Sequence, residues 1–214
     1  MHLRRSEIIA LLITTLAFLV GIYFYPQLPE KMATHWNSTG QVDGFMNRFW
    51  GTFLMPIIFF ALFLIFLVVP NIDPKRANID KFRRYFDGFI VILFLFLFYL
   101  YLIAIFWNLN YRFNLVSFIV PAIAVLLYAA GILISKAEPN WTIGIRTPWT
   151  LSNENVWRKT HILGAKLFKI TAVISLIGIF ATNYAFWIFI IPTILSAFYS
   201  ILYSYLEYRK ENKR

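Results

Sequence analysis

The sequence predicts an all-α integral membrane protein. It should have six transmembrane helices, cytoplasmic N- and C-termini, and a small external loop module after helix 1. Three observations predict this. Hydrophobic residues make up 60% of the 214 positions and charged residues only 14%, against about 25% charged in an ordinary soluble domain. The apolar residues gather in runs near the roughly 20 residues that a bilayer-crossing helix needs. The net charge of +10 lies between those runs and is biased to one side. A soluble enzyme this apolar could not cover its core with so few polar groups. A nucleic-acid binder would carry its basic residues on a polar face, so no direct nucleic acid binding is expected. The chain has no Cys, which removes disulfides, thiolate nucleophiles and Cys-based metal sites.

The first span is Ile8 to Tyr25. Arg4 and Arg5 precede it as in a signal peptide, but Tyr23-Phe24-Tyr25-Pro26 offers no small-residue cleavage site, so an uncleaved anchor is expected. The second span is Phe49 to Val69, the third Phe89 to Trp107 and the fourth Leu115 to Ile134. Leu167 to Leu206 is too long for one span. Thr182-Asn183-Tyr184 interrupts it, so two helices joined by a tight turn are predicted, the fifth being short unless it begins before Lys169. Six spans place the N-terminus, Asn71–Tyr85, Ser135–Lys169 and the C-terminal tail on one side. Those segments hold 17 of the 20 basic residues, leaving Lys31, Arg48 and Arg112 on the other. A Lys/Arg excess marks the cytoplasmic side. Five spans would export Arg209, Lys210, Lys213 and Arg214.

The spans show no ionisable residue near their centres, Asp87 and Lys169 being read at span ends. Such residues mark ion pathways, so a proton-coupled transporter is disfavoured. No HExxH motif or His/Asp cluster is present, and neither a metal nor another cofactor is expected. Chemistry or recognition must therefore come from loops.

The external loop, 26–48, contains two turn clusters, Asn37–Gly40 and Asp43-Gly44, with a short alternating pattern that predicts a small hairpin or compact loop. Asn37-Ser38-Thr39 also fits the short glycosylation acceptor motif. Thr34, His35, Trp36, Asn37 and Asp43 are candidate ligand-recognition residues. A packed loop explains them equally, with Trp36 anchoring and Asp43 capping a turn. One His and one Asp fall short of a metal ligand set.

The internal segment 135–164 is denser in signals. Thr147-Pro148 enforces an extended or turn conformation. Thr150 or Ser152 is a natural N-cap for a helix running through Trp157 and His161, with Glu154 in its first turn. Glu154, Arg158 and His161 then share a face, Glu154 can pair with Arg158, and Gly164 lets another backbone approach. An interfacial helix accounts for this pattern. So does a docking site for a cytoplasmic partner, or an anion site at Arg146 and a helix N-terminus. Catalysis by His161 oriented by Glu154 lacks a nucleophile or metal set. The first internal loop, Asn71–Tyr85, reads as topogenic, with Lys81, Arg83 and Arg84 able to touch anionic lipid.

Two segments together resemble the SdpI family of membrane immunity proteins. The first comprises Leu28-Pro29, Thr34-His35-Trp36-Asn37, Gly40 and Asp43-Gly44, with Ala33 where the family's N-terminal module often has Pro. The second comprises Asn140, Ile143 through Ser152, Trp157, Lys159-Thr160-His161 and Gly164. The resemblance implies a two-part chain: an N-terminal helical hairpin with its loop module (1–70), and a four-helix region with the motif loop (71–214). It implies protection against a secreted peptide toxin related to SdpC, and no catalytic residue set. The best-known member also draws an autorepressor to the membrane, so a cytoplasmic repressor is an implied partner alongside toxin and lipid bilayer. The docking residues would be Asn140, Gly144, Arg146, Thr147, Pro148, Trp149, Ser152, Glu154, Trp157, Arg158 and His161. A transporter of a small or lipid-like molecule and a membrane enzyme using His161, Glu154 and Arg146 are the competing readings.

Overall fold

The computed structural model describes residues 3–212, so Lys213 and Arg214 lie outside the described residues. Helix α1 (Arg5–Phe24) leads into strands β1 (Lys31–Trp36) and β2 (Val42–Asn47). There follow α2 (Arg48–Ile72), α3 (Arg76–Asn108), α4 (Leu115–Lys136), the short α5 (Pro148–Ser152), α6 (Glu154–Ser175) and α7 (Ala185–Glu211). All but α5 are long and apolar enough to cross a membrane, α6 with a 3-10 extension to Ile179. The chain is a multi-pass membrane protein. The last two spans meet at a tight turn around Thr182–Tyr184, as the interrupted pattern predicted.

Packing follows chain order. The first three helices contact one another, α3 meets α4, α4 packs on α6 and α6 on α7. Small residues let helices approach where lipid supplies no hydrophobic drive. Ala10 and Ala17 are buried on α1. At the α4–α6 crossing a Cβ on Gly131 would stand 3.0 Å from the Ala165 carbonyl oxygen and 2.9 Å from Lys169 Cγ. Buried aromatic rings meet edge to face between α2 and α3, with Phe59 6.3 Å from Phe94 and 6.4 Å from Tyr101. Each such pair is worth about 0.5–1.5 kcal/mol beyond burial.

Both described termini lie at one end of the bundle. Arg4 Nε meets Asp87 Oδ2 at 3.0 Å, and Lys159 at the start of α6 bonds Glu207 and Glu211 at the end of α7. This is the termini end; the β-hairpin marks the other.

Four expectations need correction. The third span begins at Arg76, not Phe89, and the loop before it shrinks to Asp73–Lys75. Ile79, Phe82, Arg83 and Phe86 form a buried stripe at helical spacing, so this charged stretch is amphipathic helix. Arg83 consequently does not face lipid. It is buried and bonds Glu7 at 3.0 Å and Asp87 at 2.8 Å. The motif-bearing helix is capped by Asn153, whose Oδ1 accepts from Asn155 N and Val156 N. Thr150 and Ser152 instead belong to α5, because Asn153 is extended (φ −147°) and separates the two helices. Finally, α6 starts at Glu154, which leaves Lys169 in the interior of a span rather than at its end.

Candidate functional site

Two clusters hold the sequence-predicted residues, one at each end of the bundle. At the hairpin end, β1 and β2 pair antiparallel from Lys31 opposite Asn47 to Trp36 opposite Val42. The register shifts on both sides of His35. Asp43-Gly44 is therefore not a turn: Gly44 lies within β2, opposite His35, at an irregularity that re-aims side chains. The reversal itself is Asn37–Gly40, where Asn37 Oδ1 accepts from Thr39 N, Thr39 Oγ1 and Gln41 N.

The irregular register brings His35 and Asp43 together. His35 Nδ1 lies 2.5 Å from Asp43 Oδ1, and both side chains are exposed, at 71% and 45%. A carboxylate on Nδ1 fixes the ring and aims Nε2 at whatever approaches. Phe45, half exposed beside Lys31, extends this face and was not singled out from sequence. Trp36 turns the other way and stacks edge-on against Trp107 of α3 at 5.5 Å. Thr34 is half-buried. Asn37 organises the turn.

Docking of the hairpin depends on a residue the sequence did not mark. Asn108, 7% exposed at the end of α3, accepts from Ala33 N at 2.8 Å and donates to Ala33 O at 2.9 Å. Proline at position 33 would have no N–H to give. Leu28 and Met32, 2% and 1% exposed, fill the space beneath.

At the termini end, residues 137–147 fold into a knot around Asn140. Its Nδ2 donates to Glu138 O and Ile143 O, and its Oδ1 accepts from Thr142 N and Ile143 N. Neighbouring elements pin the knot. Asp73 accepts from Trp141 N and Thr142 Oγ1, and Asn78 donates to Pro139 O at 2.7 Å. Trp157 Nε1 donates to Ala137 O at 2.7 Å, and its ring stacks on His161 at 4.0 Å. His161 Nδ1 donates to Trp157 O, while Nε2 accepts from Ile145 N at 3.0 Å, which requires the neutral ring. Gly144 runs against that ring with φ +121°, and a Cβ there would collide with His161 Nε2. Only glycine suits both conditions.

Thr147 and Thr150 cap α5 reciprocally, and Thr147 Oγ1 lies 3.0 Å from Ser204 Oγ of α7. Pro148 occupies the first turn, and Trp149 packs on Tyr205 at 5.0 Å. Gly164 receives the Ile145 side chain, not another backbone. The knot thus consumes Asn140, Gly144, Thr147, Trp157 and His161 in its own structure. Arg146, Pro148, Ser152, Glu154 and Arg158 remain exposed around it. The expected Glu154–Arg158 pair does not form; Arg158 reaches Asn155 Oδ1 at 3.5 Å. Glu154, Arg158 and His161 do share one cavity of about 460 Å³.

The knot and the helices that follow it fall in a segment that matches a known protein family. Residues 136–204 match the SdpI/YfhL protein family. That segment is similar to the SdpI proteins. Residues 12–60, carrying the hairpin, match a domain of unknown function, DUF1648. Immunity protein SdpI of Bacillus subtilis (strain 168) is 27% identical over 209 residues, covering 97% of this chain and 98% of that protein. No solved structure matches the chain. The resemblance read from the two motif segments is thereby borne out.

Proposed function

We propose that the protein protects its cell from a secreted peptide toxin, which it meets through the hairpin. The observation that carries this reading is end-to-end similarity to an immunity protein, with the two family matches of this chain falling on the hairpin and on the knot. The exposed His35–Asp43 pair and Phe45 supply a polar and an apolar contact side by side, which suits a peptide. The termini end, rich in Lys and Arg, is then cytoplasmic, and the hairpin external. On that side, the exposed Arg146, Ser152, Glu154 and Arg158 would dock a cytoplasmic regulator, with the knot holding them in place. The chain divides accordingly into 1–70, which carries recognition, and 71–214, which carries the reporting surface.

The test is survival of toxin-sensitive cells expressing the chain. Wild type should protect, and His35→Ala or Asp43→Ala should abolish protection while the protein still reaches the membrane. Arg146→Ala should spare protection and remove regulator recruitment, scored by membrane retention of a fluorescently tagged repressor. Absence of protection against any SdpC-like peptide overturns the immunity reading. Full protection by His35→Ala/Asp43→Ala overturns the assignment to the hairpin.

A further inference from the structure

Lys169 lies 15 residues into α6, about 22 Å from the helix start and about 15 Å short of Ile179 at 1.5 Å per residue. An amine that deep in a span is costly and marks function by default. Its Nζ stands 5.8 Å from the Tyr128 ring centroid, a cation–π contact that eases the cost without neutralising the charge. Lys166, one turn earlier, is exposed. Both line a cavity of about 580 Å³ between α4 and α6, walled by Tyr128, Ile162, Ile170 and Val173. Ile162 and Val173 are 63% and 61% exposed. The cavity therefore opens sideways, on a face that a multi-pass protein turns to lipid.

Towards the termini end this groove runs on. Ser135 and Ile162 also line the cavity of about 460 Å³ beside the knot, where Lys136 and Arg158 stand with Glu138 and Glu154. Among the described residues, neither Lys136, Arg158, Lys166 nor Lys169 has a carboxylate within 4.0 Å. Four uncompensated cations against two carboxylates favour an anion. The apolar continuation favours one that carries a hydrocarbon chain.

We propose that the α4–α6 groove binds an anionic phospholipid. Its phosphate would lie between Lys166 and Lys169, its headgroup would reach the polar cavity by Lys136 and Arg158, and an acyl chain would run along Tyr128, Ile170 and Val173. A soluble anion would leave the sideways-opening half empty. A zwitterionic lipid would leave the cations uncompensated.

Native mass spectrometry of the purified full chain in mixed micelles tests this, with phosphatidylglycerol and phosphatidylcholine as probes. Wild type should retain phosphatidylglycerol in preference to phosphatidylcholine. Lys166→Gln/Lys169→Gln should weaken that retention about tenfold or more, since two charge-assisted bonds to the phosphate are lost. Lys166→Arg/Lys169→Arg should keep it. Val173→Trp, which leaves every charge in place, should displace the lipid by filling the groove, and keeps the test open if the Gln variant does not fold. Equal retention of the two lipids by wild type, or unchanged retention by the Gln or the Trp variant, overturns the proposal. So does full competition by glycerol phosphate, which would make this a soluble-anion site.

Discussion

Replacing Asn140 by Ala should open the knot while leaving the rest of the bundle in place. The side chain makes four bonds of 2.6–2.9 Å to backbone groups at Glu138, Thr142 and Ile143, and Asn140 is 1% exposed. The two bonds to Ile143 are buried and the other two partly buried. A hydrogen bond contributes about 0.5–1.5 kcal/mol net, and a buried group left without its partner costs about 1–3 kcal/mol. The adjoining polar cavity admits water that can rescue the partly buried groups. A local cost of about 2–4 kcal/mol remains, which corresponds to opening favoured about 30- to 700-fold. Amide hydrogen exchange in detergent micelles reads this directly. The Thr142 and Ile143 amides should exchange faster by that factor, and the Ala33 amide, at the hairpin end, should not change. Unaltered protection at Ile143 would refute the idea that Asn140 organises the loop. Equal loss at Ala33 would refute its local character.

Three further outcomes follow from the same geometry. Gly144→Ala meets both the His161 ring and a positive φ, so the Ile145–His161 bond should break and thermal stability in detergent should fall by about 2–4 kcal/mol, more than for Ala substitution at the exposed Arg146. Arg83→Met leaves Glu7 buried beside no cation and should cost about 3–5 kcal/mol, whereas Arg83→Met/Glu7→Gln should recover much of it, as detergent unfolding of the two variants can show. Asn108→Leu removes both bonds to Ala33, so the Ala33 amide should lose protection and the hairpin should become sensitive to protease, while exchange at Ile143 stays as it was.

The spans were legible because composition and length decide them. For α2 and α4 the predicted ends, Phe49–Val69 and Leu115–Ile134, fall within three residues of the observed ones. Hydropathy failed at α3, because Arg76–Tyr85 is charged and only its buried stripe of Ile79, Phe82, Arg83 and Phe86 betrays the helix. The 3.6-residue spacing of that stripe was the available signal. Lys169 stands inside α6 for a related reason: the polar start of that helix carries no hydropathy signal and is held by tertiary contacts such as Lys159 with Glu207. The motif residues stood out by type, yet their division into knot and exposed rim could not be seen. That division depends on which way Asn140 and His161 point, and hence on contacts with Asp73 and Asn78 far away in sequence. Asn108 gave no local signal at all, because its two partners are on a strand 75 residues earlier.

Asn78 and Asn108 sit near opposite ends of the single helix α3. The first holds Pro139 at the knot and the second holds Ala33 of the hairpin. Thirty residues of unbroken helix separate them, about 45 Å of stiff rod at 1.5 Å per residue. The two clusters are thus fastened to the ends of one lever. A tilt of about ten degrees around its midpoint would carry each end roughly 4 Å in opposite directions, by the length of the rod alone. The hairpin cannot ride such a tilt without the knot being drawn the other way.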